Sequence, residues 1–475
     1  MSSTPLTFYN SLTRSLEPFV PIDPRLVRIY TCGPTVYNYQ HIGNMRAFLF
    51  ADTLGRVLRW KGFQTKHVIN ITDVGHLTSD ADAGDDKMEK AAAAQAKSIW
   101  EIAAHYTAAF KEDVARLNID PPAEWTVATD HIPQMIEFAR RIEQDCYLID
   151  GGLYFDTTRV PDYGSLARAV SDAGESRIDP VSGKRHPQDF AIWRRSPPGE
   201  QRQMEWDSPW GKGAPGWHLE CSVMSLQHLG HPFDIHTGGI DHREIHHPNE
   251  IAQNQAFCAC DDTGARVWMH NNFLVDRGGK MSKSTGQFLR LQTLVDAGFH
   301  PLAYRMMCLQ AHYRSELEFT WENLAAAFTR LKRLVIARDA LRARDDGTLK
   351  GDSEPYLARL EEAVGDDLGT PRALPVLDEL LADKRLSPAT RLQALDDFDA
   401  VLGLNLATLT RTELRVRPMT AIVTEADIDA QLAARKEARA AKNFARSDEI
   451  RDTLAAVGVE VMDGDALAWD WKLAL

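Results

Sequence analysis

Residues 28–72 hold three segments whose order leaves few folds open. RIYTC (28–32) is a short apolar run stopped by Gly33-Pro34, which predicts a strand. MRAFLFADTLGRVLRWKGF (45–63) carries Phe48, Leu49, Leu54, Val57, Leu58 and Trp60 at roughly helical spacing, and Gly62 closes it. TKHVINIT (65–72) predicts the next strand. A strand, a helix and a strand in that order form the unit of a parallel nucleotide-binding sheet. The first connection contains His41-Ile-Gly-Asn44. At a helix N-terminus the free N–H groups and the dipole favour phosphate. An imidazole and a side-chain amide can both donate to phosphate oxygens, and Gly43 lets a flat ring approach the backbone. A locally packed turn histidine explains the same four letters equally well.

The chain of 475 residues fits two to four domains. TSDADAGDD (78–86) predicts an acidic loop, and 87–145 a helical stretch broken at NIDPPAEW (118–125). Residues 151–217, rich in Gly, Pro and Trp, predict hairpins and loops. FDIHT (233–237) predicts another strand, 248–259 a helix, and RVWMHNNFLVDRGGKMSKS (266–284) a hairpin leading into an exposed loop. From 301 onward the pattern is helical, with a polar loop at 344–355. A small unit containing RKEARAAKNFARSDEIRDTLAAVG (435–458) closes the chain.

Lys280-Met-Ser-Lys-Ser284 follows Gly278-Gly279 and is far more specific than the first motif. Two lysines on a mobile loop can follow the charge of a triphosphate as pyrophosphate leaves. The pair of motifs resembles the class I aminoacyl-tRNA synthetases. That resemblance implies attack of an amino-acid carboxylate on the α-phosphate of ATP, then esterification of a tRNA 3′ end. Such chemistry rests on positioning and charge stabilisation.

Six cysteines at 32, 146, 221, 258, 260 and 308 are too scattered for a disulfide framework, so reduced thiols are expected. Cys258 and Cys260 fall in an apolar helical stretch and read as core residues; Cys146 and Cys308 read as structural. Seven of the 16 histidines lie between 218 and 247. His246 and Glu250, four residues apart, can share one helix face. With Cys32 and Cys221 they would give two thiolates, an imidazole and a carboxylate, a set suited to zinc. Core cysteines beside surface histidines are the competing reading.

CGPTVYNYQHIGN, NITDV (70–74), DFAIW (189–193), SPWGKGAPGWHLECSVM (208–224), HHPNEIAQ (246–253), KMSKS and RKEARAAKNFARSDEIRD (435–452) resemble cysteinyl-tRNA synthetase along nearly the whole chain. The resemblance implies one zinc per chain on Cys32, Cys221, His246 and Glu250, with the substrate thiolate on the same metal. Size alone separates near-isosteres such as cysteine and serine by only about 10²-fold, whereas zinc favours the thiolate. The resemblance places Thr72 and Trp217 in the amino-acid pocket, with His236 and Asp241 in the stretch that meets substrate and nucleotide. It assigns ATP, with Mg²⁺, to His41, Gly43, Asn44, Asp241, Lys280, Met281, Ser282, Lys283 and Ser284. His41, Asn44, Lys280 and Lys283 would serve catalysis. Three departures from the family pattern stand out. Asn44 replaces the commoner histidine, Glu244-Ile245 replaces Phe-Pro, and Pro248 replaces Glu. Proline suits a first helical turn but is expected to push His247 out of helical geometry.

The implied fold is α/β. A Rossmann-like parallel-sheet catalytic domain spans 1–315 with an insertion at about 87–215. An α-helical bundle at 316–410 and a small C-terminal tRNA-binding domain at 411–475 follow. Arg435, Lys436, Arg439, Lys442, Arg446 and Arg451 concentrate positive charge in a chain of net charge −13 and are candidates for tRNA contact. A solvated helix face is the competing reading. Phe444, Trp469 and Trp471 are the nearby aromatics that could stack on bases or serve a core. The expected partners are tRNA(Cys), ATP and L-cysteine, acting on a cytoplasmic monomer with no membrane span. Two other readings keep part of this: a ligase passing cysteine to an amino-sugar, and a non-catalytic paralogue that senses cysteine or tRNA.

Overall fold

The computed structural model describes all residues except 1–4, 75–87, 89–90, 92–97, 168–181, 198, 200–201, 276–288 and 474–475. At its centre lies a five-stranded, wholly parallel sheet. Its spatial order is Ala265–Asn271, Phe233–Gly239, Leu26–Thr31, Gln64–Ile71, Glu124–Val127. The first of these five strands in the chain, Leu26–Thr31, therefore sits in the middle. Its successors build outward on one side and the last two on the other. The reversal falls between Leu26–Thr31 and Phe233–Gly239, which is where open α/β sheets bind ligands.

The first helix is Ile42–Trp60. It begins three residues earlier than the apolar periodicity implied, because His41 caps it: Asn44 N–H donates to His41 Nδ1 at 3.2 Å. Phe48, Leu49, Leu54, Val57 and Leu58 are buried from this helix, and Gly62 at φ +91° ends it as expected. The strands before and after it are buried along their carboxyl halves, as a doubly covered sheet requires.

Two sequence readings are corrected here. Residues 265–271 form a parallel strand of the main sheet, not one arm of a hairpin. The break at 118–125 ends in the strand Glu124–Val127, which pairs with Gln64–Ile71, so residues within the expected insertion return to the main sheet. The rest of that stretch includes a four-stranded antiparallel sheet, Cys146–Ile149, Gly152–Phe155, Phe190–Arg195 and Gly213–Pro215. A third correction concerns thiols. Cys258 and Cys260 are not core residues but form a disulfide at the end of the helix His246–Cys258. Ala259 turns into the left-handed region there and the two Cα atoms lie 5.2 Å apart. Cys32, Cys146, Cys221 and Cys308 are free.

Helices Trp321–Arg342, Glu354–Gly365, Thr370–Ala382 and Pro388–Leu402 make the bundle. It shares one apolar core with the first helix, so it is not a separate bead. The buried Arg305 locks the junction: it donates to Asp52 Oδ2 at 2.5 Å, to Leu402 O at 2.7 Å and to Leu117 O at 3.1 Å. Removing one partner of such a pair typically costs about 3–5 kcal/mol. The C-terminal unit, helices Glu425–Ala440 and Phe444–Ala456 with the hairpin Val459–Val461/Trp469–Trp471, has its own small core. No helix among the described residues is long and apolar enough to cross a membrane.

One buried titratable group gives the fold a pH signature. His67 lies in the strand Gln64–Ile71, its Nε2 2.8 Å from Thr31 Oγ1, and burial pushes its imidazole from 6.5 down to about 4. The unfolded chain binds that proton first. This contribution to stability is complete above pH 6.5 and is lost as pH falls from 6.5 towards 4. It amounts to something on the order of 3 kcal/mol. His67→Gln should lower the urea midpoint at pH 7.5 yet flatten its decline between pH 6.5 and 4.

Candidate metal and nucleotide site

Cys32 follows the central strand, and its N–H donates to Thr237 O across the sheet reversal at 3.2 Å. Beside it, a Cβ on Gly33 would stand 1.5 Å from Asn70 O, so only glycine lets these strand ends close. Cys221 comes from the helix Trp217–Leu229. His246 and Glu250 sit one turn apart on the helix His246–Cys258. The Cys32 and Cys221 sulfurs are 4.0 Å apart, Cys32 Sγ is 3.9 Å from Glu250 Oε1, and His246 Nε2 is 3.0 Å from that oxygen. All four residues are buried. The helix starts at His246 and includes His247 and Pro248, so the proline does not expel His247 from helical geometry. Pro248 lies in the first turn, where a missing N–H leaves no hydrogen bond unmade.

Charges inside this cluster are strongly biased. Burial pushes the Glu250 carboxyl up, but His236 and His246 outweigh it and hold it well below the usual carboxylate range. Burial and Cys221 raise the Cys32 thiol, while the hydrogen bond from Cys32 brings Cys221 down to about 6. Desolvation lowers His246, yet Glu250 and Cys221 carry it up to about 10. His247 is held neutral by burial and by its imidazole neighbours.

The histidine and glutamate donors are oriented from behind. His246 Nδ1 meets His218 Nδ1 at 2.9 Å, which leaves Nε2 facing the cluster. His236 binds Glu250 Oε2 at 3.0 Å and stacks on Trp268 with centroids 4.5 Å apart. His236 is thus packed into the buried donor cluster. His247 Nε2 is 3.3 Å from Cys32 Sγ, and its Nδ1 is 2.7 Å from His270, which in turn reaches Ser11. A second quartet, Cys32, His236, His247 and Glu250, is equally compact. It offers one sulfur where the first offers two, and two thiolates suit a soft or borderline metal better. His218, His270 and Trp268 were missed from sequence. Only the crowding of histidines between 218 and 247 pointed at the first of them.

Asp241 links this cluster electrostatically to His41, on the expected nucleotide side. His41 is half-buried, and a Cβ on Gly43 would stand 2.9 Å from its ring, so the glycine makes room for the imidazole. Burial lowers the His41 imidazole, opposed by the Asp241 carboxylate, which also acts on Cys32. Asp241 and Asn44 are exposed. Thr72 is buried; it accepts from Asn70 Nδ2 at 2.9 Å and donates to Glu220 Oε2 at 3.2 Å. The Trp217 ring lies 4.5 Å from that of His246. Lys280, Met281, Ser282, Lys283 and Ser284 lie outside the described residues.

Of the basic candidates, Arg435 is buried and grips Asp463 with two bonds of 2.6 and 2.8 Å; Arg439 shares that carboxylate. Arg446 pairs with Glu449 at 2.7 Å, and Arg451 lies near Asp448 and Asp452. Lys436, Lys442 and Phe444 are exposed, whereas Trp469 and Trp471 are core.

Residues 18–329 match the family model described as tRNA synthetases class I (C) catalytic domain, and 424–466 the cysteinyl-tRNA ligase anticodon binding domain. A cysteine–tRNA ligase of Novosphingobium aromaticivorans is 63% identical, over 99% of this chain and 98% of its own length. The chain belongs to the cysteine–tRNA ligase family. The family's enzyme from Zymomonas mobilis is 54% identical over 99% of this chain and 98% of its own. A Mycobacterium tuberculosis methionyl-tRNA synthetase bound to methionyl-adenylate superposes with a TM-score of 0.55 at 16% identity, covering 80% of this chain and 88% of that one. That likeness speaks for the class I fold alone.

Proposed function

We propose that the chain joins L-cysteine to ATP as cysteinyl-adenylate, releasing pyrophosphate, and then passes the cysteinyl group to the 3′ end of tRNA(Cys), releasing AMP. The observation that carries this reading is the convergence of Cys32, Cys221, His246 and Glu250 within 4.8 Å at the sheet reversal. The set fits Zn²⁺, one ion per chain, and these four residues would hold it. Zinc, when bound, supplies a Lewis acid that takes a thiolate in preference to a hydroxyl. Thr72 and Trp217 bound the amino-acid side of the pocket, and His236 keeps Glu250 in place. His41 and Asn44 donate to the phosphates at the first helix N-terminus. Gly43 gives the imidazole its position, and Asp241 lies where the two halves meet. Lys280 and Lys283, with Met281, Ser282 and Ser284, are assigned to the triphosphate by their motif; Mg²⁺ accompanies ATP. The protein would work as a cytoplasmic monomer.

Cysteine-dependent ATP–pyrophosphate exchange is the direct test. Exchange with cysteine should exceed exchange with serine by more than about 10²-fold, the limit that shape alone allows. Its absence from folded, metal-loaded protein would overturn the reading and favour a sensor. Cys221→Ser should lose both bound zinc and that selectivity; full zinc content would show that Cys221 is not a ligand.

Lys436, Lys442 and Arg446, exposed on the C-terminal unit, are proposed to meet tRNA, while Arg435 and Arg439 hold the unit together through Asp463. In gel shifts, Lys436→Ala and Lys442→Ala should each weaken tRNA binding and cut the log–log salt slope by about one, with thermal unfolding unchanged. Arg435→Ala should instead lower the unfolding temperature. Truncation at 410 should abolish the shift; undiminished binding would favour the amino-sugar acceptor.

A further inference from the structure

Arg46 lies one turn into the first helix and is 2% exposed. Among the described residues its guanidinium meets no carboxylate. It donates to four carbonyl oxygens: Nη1 to Asn272 at 2.8 Å and Phe273 at 2.5 Å, Nη2 to His312 at 3.3 Å and Ser315 at 2.7 Å. The planar fork thus ties two remote segments to the helix capped by His41. The first segment leads directly into the strand Leu274–Val275, the last described residues before the lysine motif. The second leads into Leu317–Glu318, which pairs in parallel with that strand.

The chain beyond the lysine motif is fastened to the same place. Ile42 N–H donates to Leu289 O at 2.9 Å, and the Arg290 guanidinium lies 3.2 Å from the Tyr39 ring centroid. Tyr304 completes the set by donating to Ile42 O at 2.6 Å. Residues 272–275 and 289–290, which flank the motif, are therefore both held on the helix end that carries His41 and Asn44.

We infer that Arg46 is a positioning residue for adenylate formation, fixing the base of the lysine segment relative to the His41 end of the first helix. This rests on the functional reading above. A charge buried among carbonyls needs the full fork: a lysine ammonium has one centre and cannot span two segments. Misplacing a reacting group by about 1 Å can cost about 10²-fold in rate. The cost falls on the step that needs His41 and the lysines together, and not on cysteine binding or the metal.

The test is a double-mutant cycle in cysteine-dependent ATP–pyrophosphate exchange, with wild type, Arg46→Lys, Lys283→Ala and the pair. Arg46→Lys should lower kcat by about 10- to 100-fold, with KM for cysteine within about twofold and zinc content unchanged. In the Lys283→Ala background the same change should cost less than about threefold, because the two changes would impair one and the same step. Equal losses in both backgrounds would mean that Arg46 merely supports the fold, and would overturn the proposal. If Arg46→Lys proves unstable to heat, Arg290→Gln, which loosens the other flank, replaces it in the cycle with the same two outcomes. Absence of exchange in wild type would overturn the functional reading; exchange with additive losses would overturn the role of Arg46 alone.

Discussion

A parallel sheet covered on both faces leaves its polar chemistry one exit, the carboxyl ends of its strands. The pairing of Leu26–Thr31 with Phe233–Gly239 decides where that exit is widest, because successive connections leave the sheet in opposite directions there. Cys32 and Thr237 stand at that edge, linked by a backbone hydrogen bond. The strand's continuation runs to His41 and the first helix N-terminus, where anions are favoured. The buried cysteine cluster and the helix N-terminus that suits an anion are thus neighbours by topology. Neither could move without re-pairing the centre of the sheet.

Burying two thiols, a carboxylate and several imidazoles together is costly unless each has a partner. Glu250 shows how the cost is met: one carboxylate oxygen faces His246 and the other His236. The imidazoles are in turn set from behind, His246 by His218 and His247 by His270. The crowding of histidines therefore reflects a layered requirement. A ligand ring needs a second group to fix its tautomer and angle, and here that group is often another imidazole. Pro248 fits between these groups because it lies in the first turn of the helix His246–Cys258, where its missing N–H costs no hydrogen bond.

The strand–helix–strand unit was legible in the sequence because its apolar periods are local, and Gly62 marks a real end. Glu124–Val127 was not, since four residues after a Pro-Pro pair carry no signal of a partner about sixty residues earlier. The strand Ala265–Asn271 was read as part of a hairpin for a related reason: alternation reveals a strand but not its neighbour. In the site, the i,i+4 spacing of His246 and Glu250 was readable, but their meeting with Cys32 and Cys221 joins three distant segments. Spacing left that set no stronger than its competitor, and the resemblance alone singled it out. The disulfide between Cys258 and Cys260 depends on a left-handed turn at Ala259, a conformation its residue type does not announce.

Charge in the C-terminal unit illustrates the same gap between composition and surface. Six basic residues in sequence suggest a strongly cationic face. Folding commits Arg435 and Arg439 to one carboxylate and Arg446 to another, so the net field there is much smaller than the run implies. Lys436 and Lys442 have no ion-pair partner among the described residues, and Phe444, 62% exposed, follows Lys442 at the turn between the two helices. Two such cations release few counterions, so affinity built on them alone would be modest. An aromatic ring at a helix start offers what they lack, a face on which an unpaired base can stack. Stacking of that kind is sequence-tolerant, so it adds contact to a weakly charged surface without itself choosing a base.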